Sequence, residues 1–274
     1  MQAHGGSKAG KRADRVIADG FYNMDCFQGF NLIDDKSIDL ILCDLPFGTT
    51  QNNWDIILPF DRLWQQYERI IKDNGAILLF GMEPFSSRLR LSNTELYKYD
   101  WIWQKTNPKG HLNAKSQPMR AHEVISVFYK KQPTYNPQMT HGHQRKTAKN
   151  EYTREKDGAG CYGKENRNTI YDSTDRYPLD VQIFSNGDQT KKIHPTEKPV
   201  PMLEYFILTY TNMGDLVLDN CAGSGSTGKA AHNTGRRFIG FEKNREIYKR
   251  GYKSWKEHTS QITIFSMMKG EAKE

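Results

Sequence analysis

Ile38-Asp39-Leu40-Ile41-Leu42-Cys43-Asp44-Leu45-Pro46-Phe47-Gly48 is the stretch from which the 274-residue chain is best read. Five of the six residues from Ile38 to Cys43 are apolar, the pattern of a strand buried on both faces of a parallel sheet. The strand runs directly into an acid, a proline and an aromatic on a tight turn. In open α/β sheets, ligands bind just beyond the carboxyl ends of the strands. A carboxylate beside a rigid turn and a ring is suited to holding a flat, nitrogen-bearing ring.

Downstream, Phe60 to Lys72 places Phe60, Leu63, Trp64, Tyr67, Ile70 and Ile71 on one face, predicting an amphipathic helix. Asp73-Asn74-Gly75 is expected to end that helix with a C-terminal glycine. Ala76 to Phe80 is then the next buried strand and completes a β-α-β unit. Tyr99–Trp103 and Val124–Tyr129 read as further strands. From Lys130 to Lys192 no period is sustained, as in a long irregular loop. Order returns with a helix from Val200 to Tyr210 and a short strand, Leu216-Val217-Leu218, ending at Asp219. A glycine loop then opens another helix, and a strand, Phe238 to Phe241, ends in Glu242. The tail predicts a helix over Tyr248–His258 and a last strand over Ile262–Phe265. Upstream, Asp25 precedes a helix extending towards Asp34-Asp35. These elements describe an α/β fold, a mostly parallel doubly wound sheet interrupted by an insertion.

The charge is unevenly placed. Lys105 to Val200 holds 17 basic and 10 acidic residues, which accounts for the whole formal charge of +7. Tyr135, Tyr152, Tyr162, Tyr171 and Tyr177 are interleaved with these cations. A localised basic excess in a globular enzyme favours a polyanionic partner. Met1 to Arg12 reads as a flexible basic arm. No apolar run suits a membrane span or a signal peptide, and Cys26, Cys43, Cys161 and Cys221 lack disulfide or zinc spacing, so reduced thiols in the cytoplasm are expected. His141-Gly142-His143 with Cys161 fits no standard metal site, and none is expected.

Gly223-Ser224-Gly225-Ser226-Thr227-Gly228 lies between a strand and a helix, and Glu242 follows 19 residues after its first glycine. That spacing fits a nucleotide-type site in which the carboxylate accepts the ribose hydroxyls. Three ligands compete: a dinucleotide, a nucleoside triphosphate and S-adenosylmethionine. Gly223 to Lys229 nearly matches a phosphate loop, but Ala230 replaces the magnesium-binding hydroxyl. Asp219, at the mouth of the loop, would repel a pyrophosphate and could hold the amino group of a methionine moiety.

Together, Asp44-Leu45-Pro46-Phe47 and Asp219 to Gly225 resemble the amino-group DNA methyltransferases, with their D/N/S-P-P-Y/F/W tetrad and F-x-G-x-G cofactor loop. The order tetrad, insertion, cofactor loop is similar to that of the β class. His194-Pro195-Thr196-Glu197-Lys198-Pro199 resembles the family's H-P-T-x-K-P segment. The likeness runs from about Ile17 to Tyr252, leaving out most of Lys130 to Arg176. Leu45 replaces the first proline of the tetrad and Cys221 the phenylalanine of the loop.

The resemblance implies a Rossmann-like methyltransferase domain with a catalytic half (17–130), a target-recognition insertion (131–192) and a cofactor half (193–274). It implies Asp44, Leu45, Pro46 and Phe47 as catalytic residues. Around S-adenosylmethionine it places Asp25, Asp44, Lys198, Pro199, Asp219, Cys221, Gly223, Ser224, Gly225 and Glu242. Asp25 equally suits a helix cap, and Phe47 a core position. Trp54 and Asp55 suit either a base pocket or a loop. The expected partner is double-stranded DNA, for a monomer or homodimer, with or without a cognate restriction endonuclease. An aspartate at position 44 favours adenine N6; cytosine N4, an RNA target, a non-catalytic DNA-binding relative and a nucleotide-dependent enzyme are the rivals. No cysteine follows a proline, so cytosine C5 chemistry is excluded.

Overall fold

The computed structural model describes residues 17–49, 55–152, 167–186 and 197–270. In chain order its elements are β1 (Gly20–Asn23), α1 (Cys26–Phe30), β2 (Ile38–Cys43), α2 (Phe60–Ile70), β3 (Ile71–Gly81), α3 (Phe85–Leu91), β4 (Tyr97–Lys109) and β5 (Arg120–Phe128). There follow β6 (Lys146–Tyr152), β7 (Arg167–Ser173), β8 (Val181–Phe184), α4 (Val200–Tyr210), β9 (Leu216–Asp219), α5 (Ser226–Asn233), β10 (Arg237–Glu242) and α6 (Arg245–Gly270). A compact unit of residues 136–180 carries the antiparallel β6–β7 pair; the remaining described residues form the other unit.

The main sheet has the order β1-β10-β9-β2-β3-β5-β4-β8. Its first five strands are parallel, and β5 is antiparallel to both β3 and β4. From β2 the chain moves to β3 on one side; from β9 it moves to β10 on the other. β2 and β9 therefore flank the switch point, where their carboxyl ends leave a crevice. Leu40 pairs with Val217 and Ile41 with Leu218, which brings the turn after β2 next to the glycine loop.

Alternation along β2 feeds two cores. Ile41 and Cys43 pack with α1 and α2 residues such as Phe30, Leu63, Trp64 and Tyr67. Leu40 and Leu42 pack with Met202, Phe206 and Ile207 of α4 and Ala230 and Ala231 of α5. Each such side chain contributes about 1.5–3 kcal/mol when fully buried. Asp39, the polar residue in β2, accepts hydrogen bonds from the Leu216 amide (3.0 Å) and Lys72 Nζ (2.6 Å).

Three expectations are corrected. Gly75 caps no helix: α2 ends at Ile70, and Gly75 lies in β3, where a methyl group would press on the Ile71 side chain and the Asp39 carbonyl. Ile262–Phe265 is not a strand but part of α6, because strand propensity without a neighbouring ladder does not outweigh a helix already under way. Val181–Phe184, placed within the irregular insertion, is an edge strand parallel to β4. Among the described residues no helix is long and apolar enough to cross a membrane.

Candidate active site

A cleft of about 950 Å³ opens at the carboxyl ends of the strands, at the upper end of the range for small-molecule sites. Asp44, Leu45, Pro46 and Phe47 all line it. Asp44 is the first residue beyond β2. Leu45 turns its side chain into the core at 3% exposure, so the absent proline is replaced by packing. Phe47 is half-buried with its ring 4.9 Å from that of Phe85, and so serves core and cleft together. Asp55 clasps the next loop by accepting from the amides of Gly48 (2.8 Å) and Thr49 (2.9 Å). Trp54 lies outside the described residues, as do Cys161 and His194 to Thr196.

Asp44 heads a buried line of charges that the sequence did not reveal. Its Oδ2 accepts from Lys198 Nζ at 2.5 Å, and Lys198 lies 3.3 Å from Glu123 Oε2. Glu123 Oε1 in turn accepts from Lys105 Nζ at 2.5 Å. Asp44 Oδ1 is buried without a hydrogen-bond partner among the described residues. Burial pushes the Asp44 carboxyl above its ordinary range, with Lys198 opposing the rise and Glu123 adding to it. For Glu123, burial acts in the same sense, but Lys198 and Lys105 outweigh it and hold the carboxyl below its usual range.

The other wall is built from the loop after β9 and the end of β10. Glu242 lines the cleft while accepting from the amides of Gly223 (3.1 Å) and Asn244 (2.6 Å). Burial raises its carboxyl, and these two bonds pull the other way. Asp25 caps α1 by accepting from the Phe27 amide (2.9 Å), and it also lines the cleft. Cys221 and Lys198 are also in the lining. Pro199, Asp219, Gly223, Ser224 and Gly225 are not. Asp219 is 4% exposed, and its oxygens accept from Thr227 Oγ1 (2.6 Å) and the Cys221 amide (3.1 Å), which orders the loop from within. Asn220 and Glu197, which sequence reasoning passed over, do line the cleft. Asn220 is held by the Tyr67 hydroxyl (2.6 Å), and Glu197 accepts from Ser226 Oγ (2.9 Å).

This loop is not built for a triphosphate. Ala230 is fully buried in the core, and Lys229 donates to Ser254 (2.7 Å), so neither faces a ligand. What the wall offers instead is a carboxylate with spare lone pairs, for a ribose diol, beside the turn that carries Asp44.

A family model for DNA methylases that modify N6 or N4 amino groups matches residues 38–253. The chain belongs to the N6/N4 DNA methylase family. It has the β-class order of segments and is an S-adenosylmethionine-dependent methyltransferase of DNA amino groups. Similar proteins include the Type II methyltransferase M1.MboII of Moraxella bovis, 29% identical over 82% of this chain and 92% of that one. The Type II methyltransferase M.HinfI of Haemophilus influenzae is 27% identical over 89% of this chain and 70% of its own. The solved M1.HpyAVI–SAM complex shares the fold at a TM-score of 0.57 and 22% identity, covering 85% of this chain and 97% of that one. So does the cytosine-N4-specific PvuII DNA methyltransferase, at 0.59 and 16%, covering 90% and 93%. In this methylase, Glu242, Asp25 and Asp44, the acids that the sequence reading assigns to cofactor and base, line one cleft.

Proposed function

We propose that this methylase transfers the methyl group to adenine N6 in double-stranded DNA, at a specific sequence, after the base has been flipped out of the helix. The observation that carries the reading is the Asp44 carboxylate: one oxygen is fixed by Lys198, and the other is buried without a hydrogen-bond partner among the described residues. A buried acceptor left unpaired costs about 1–3 kcal/mol, which a bound N–H would recover. Aspartate at this position favours adenine, since cytosine-N4 members more often carry serine.

An exocyclic amino nitrogen is a poor nucleophile because its lone pair is delocalised into the ring. Asp44 Oδ1 and the Leu45 carbonyl accept its two N–H bonds, so the nitrogen can rehybridise and direct its lone pair across the cleft. The cofactor, when bound, supplies an electrophilic methyl on a sulfonium. Asp44 Oδ1 is placed to take the proton the nitrogen sheds, and burial, which raises the carboxyl, suits it to that task. Phe47, braced by Phe85, stacks on the extruded base and offsets its lost stacking. Positioning and electrostatics supply the acceleration, with no covalent enzyme intermediate.

The basic segment supplies the grip on DNA. Between Lys109 and His122 there are three lysines and arginines and no acid, and Lys109 and Arg120 line the cleft. The 136–180 unit carries further cations and tyrosines and reads the target sequence. The enzyme is cytosolic and pairs with a restriction endonuclease or acts alone. Removal of residues 136–180 is expected to abolish DNA binding and leave cofactor binding intact; loss of both would overturn that assignment. The central test is mass spectrometry of nucleosides from unmethylated DNA incubated with enzyme and S-adenosylmethionine. N6-methyladenine is expected from the wild type and not from Asp44→Ala. N4-methylcytosine would keep the site and overturn the base.

A further inference from the structure

Lys105, Glu123 and Lys198 have side chains only 8%, 10% and 9% exposed. Charges at that depth are costly unless paired, and a well-packed apolar set would serve stability as well or better. Each belongs to a different segment: Lys105 to β4, Glu123 to β5, and Lys198 to the turn before α4. Gly81 pairs with Val124, so Glu123 emerges at the carboxyl end of β3, beside the turn that carries Asp44. The four charges alternate, Asp44–Lys198–Glu123–Lys105, and sum to zero. Lys198 also lies 5.1 Å from the Phe80 ring and 6.0 Å from the Phe47 ring, which restricts where its ammonium can go.

We propose that Glu123 and Lys105 are positioning residues: through Lys198 they fix Asp44 so that Oδ1 alone is presented to the substrate amino group. This rests on the amino-transfer reading of Asp44. Without Glu123, Lys198 has one anion instead of two and is free to straddle both oxygens of Asp44, and the acceptor is then blocked. Lys105 holds Glu123 in place from the other side, with its own ammonium 5.0 Å from the Trp103 ring. The charged groups facing Asp44 are Lys198, Glu123 and Lys105, with Asp219 more remote.

The test is Glu123→Gln in the full-length enzyme, read by steady-state kinetics on DNA the wild type methylates. A fall in kcat of about tenfold to a hundredfold is expected, with KM for S-adenosylmethionine within about twofold. The acid limb of kcat against pH moves to lower pH, because Lys198 then acts on Asp44 without the opposing Glu123 charge. Lys198→Met moves the same limb to higher pH. The double variant Glu123→Gln/Lys105→Met removes one buried charge of each sign and folds as a control; its kcat stays low. A kcat within twofold of wild type, a parallel loss of cofactor affinity or an unmoved acid limb would each overturn the proposal. A wild-type enzyme that methylates no DNA would sink the reading of Asp44 itself, and this proposal with it.

Discussion

β2 and β9 lie side by side, and each delivers an aspartate to the same edge of the sheet. Asp219 turns inward: both oxygens are engaged by the loop that follows, one by Thr227 and one by the Cys221 amide. Asp44 lines the cleft: one oxygen is held by Lys198, and the other has no hydrogen-bond partner among the described residues. Burial raises both carboxyls, Asp219 to about 6. The difference lies in completion. A carboxylate with all its partners inside the fold shapes a loop, whereas one left incomplete awaits a ligand.

The largest expected effect breaks the comparison at Asp44. Asp44→Ala should lower methylation by about a thousandfold or more, as the loss of a principal polar group in an active site does. Cofactor affinity, measured by calorimetry, should change little. A comparable loss of cofactor binding would mean that Asp44 also belongs to the loop's job. Next comes Asp219→Ala, which strands the Thr227 hydroxyl and the Cys221 amide in the interior and should cost about 2–4 kcal/mol in denaturant unfolding. Its kcat at saturating cofactor should stay within a few-fold of wild type. A kcat as low as that of Asp44→Ala would erase the distinction between the two aspartates.

A pH series sharpens the contrast. The folded Asp219 carboxyl, at about 6, sits above its ordinary 3.8. The protonated form is therefore the one the fold prefers. Asp219 favours folding most below about pH 4, and that contribution is lost as pH rises towards 6, by at most about 3 kcal/mol. Asp219→Asn, which cannot ionise, should flatten the fall in stability across that window. An unchanged slope would mean that the Thr227 and Cys221 bonds cancel the effect of burial.

These two aspartates also show how far the sequence could be read. The apolar run before Asp44 and the strand–glycines–helix order after Asp219 are local patterns, so both strands, both turns and the parallel sheet were legible. What each carboxylate touches was not. An acid at the mouth of a glycine loop reads as a ligand-facing group whatever else it holds; the partner Thr227 lies eight residues on, and no period connects them. Glu123 and Lys105 sit in strands among polar neighbours and look like ordinary surface charges until β4, β5 and the Lys198 turn converge. β8 is four residues long, exposed at Val181 and Ile183, and is made a strand by β4 some eighty residues away.

The smallest expected effect concerns the glycine loop from outside. Gly251 lies within α6, where glycine costs about 1 kcal/mol relative to alanine, so propensity alone would make Gly251→Ala stabilising. The packing reverses that sign. A methyl at Gly251 would overlap the Gly223 carbonyl oxygen and crowd the Ser224 carbonyl carbon at 3.1 Å, both rigid backbone. Gly225 faces the same contact from the loop side, with a left-handed φ of 77° and the Gly251 carbonyl 3.3 Å from where its own Cβ would be. The loop and the helix can approach this closely only because neither has a side chain there. Gly251→Ala should therefore destabilise by about 1–2 kcal/mol, the range for a forced backbone shift. Because Gly223 also donates to Glu242, the shift should weaken cofactor binding several-fold and leave kcat at saturation near wild type. A variant more stable than wild type, with unchanged cofactor affinity, would show that the loop yields without cost, and that its shape depends on Asp219 and not on the helix packed against it.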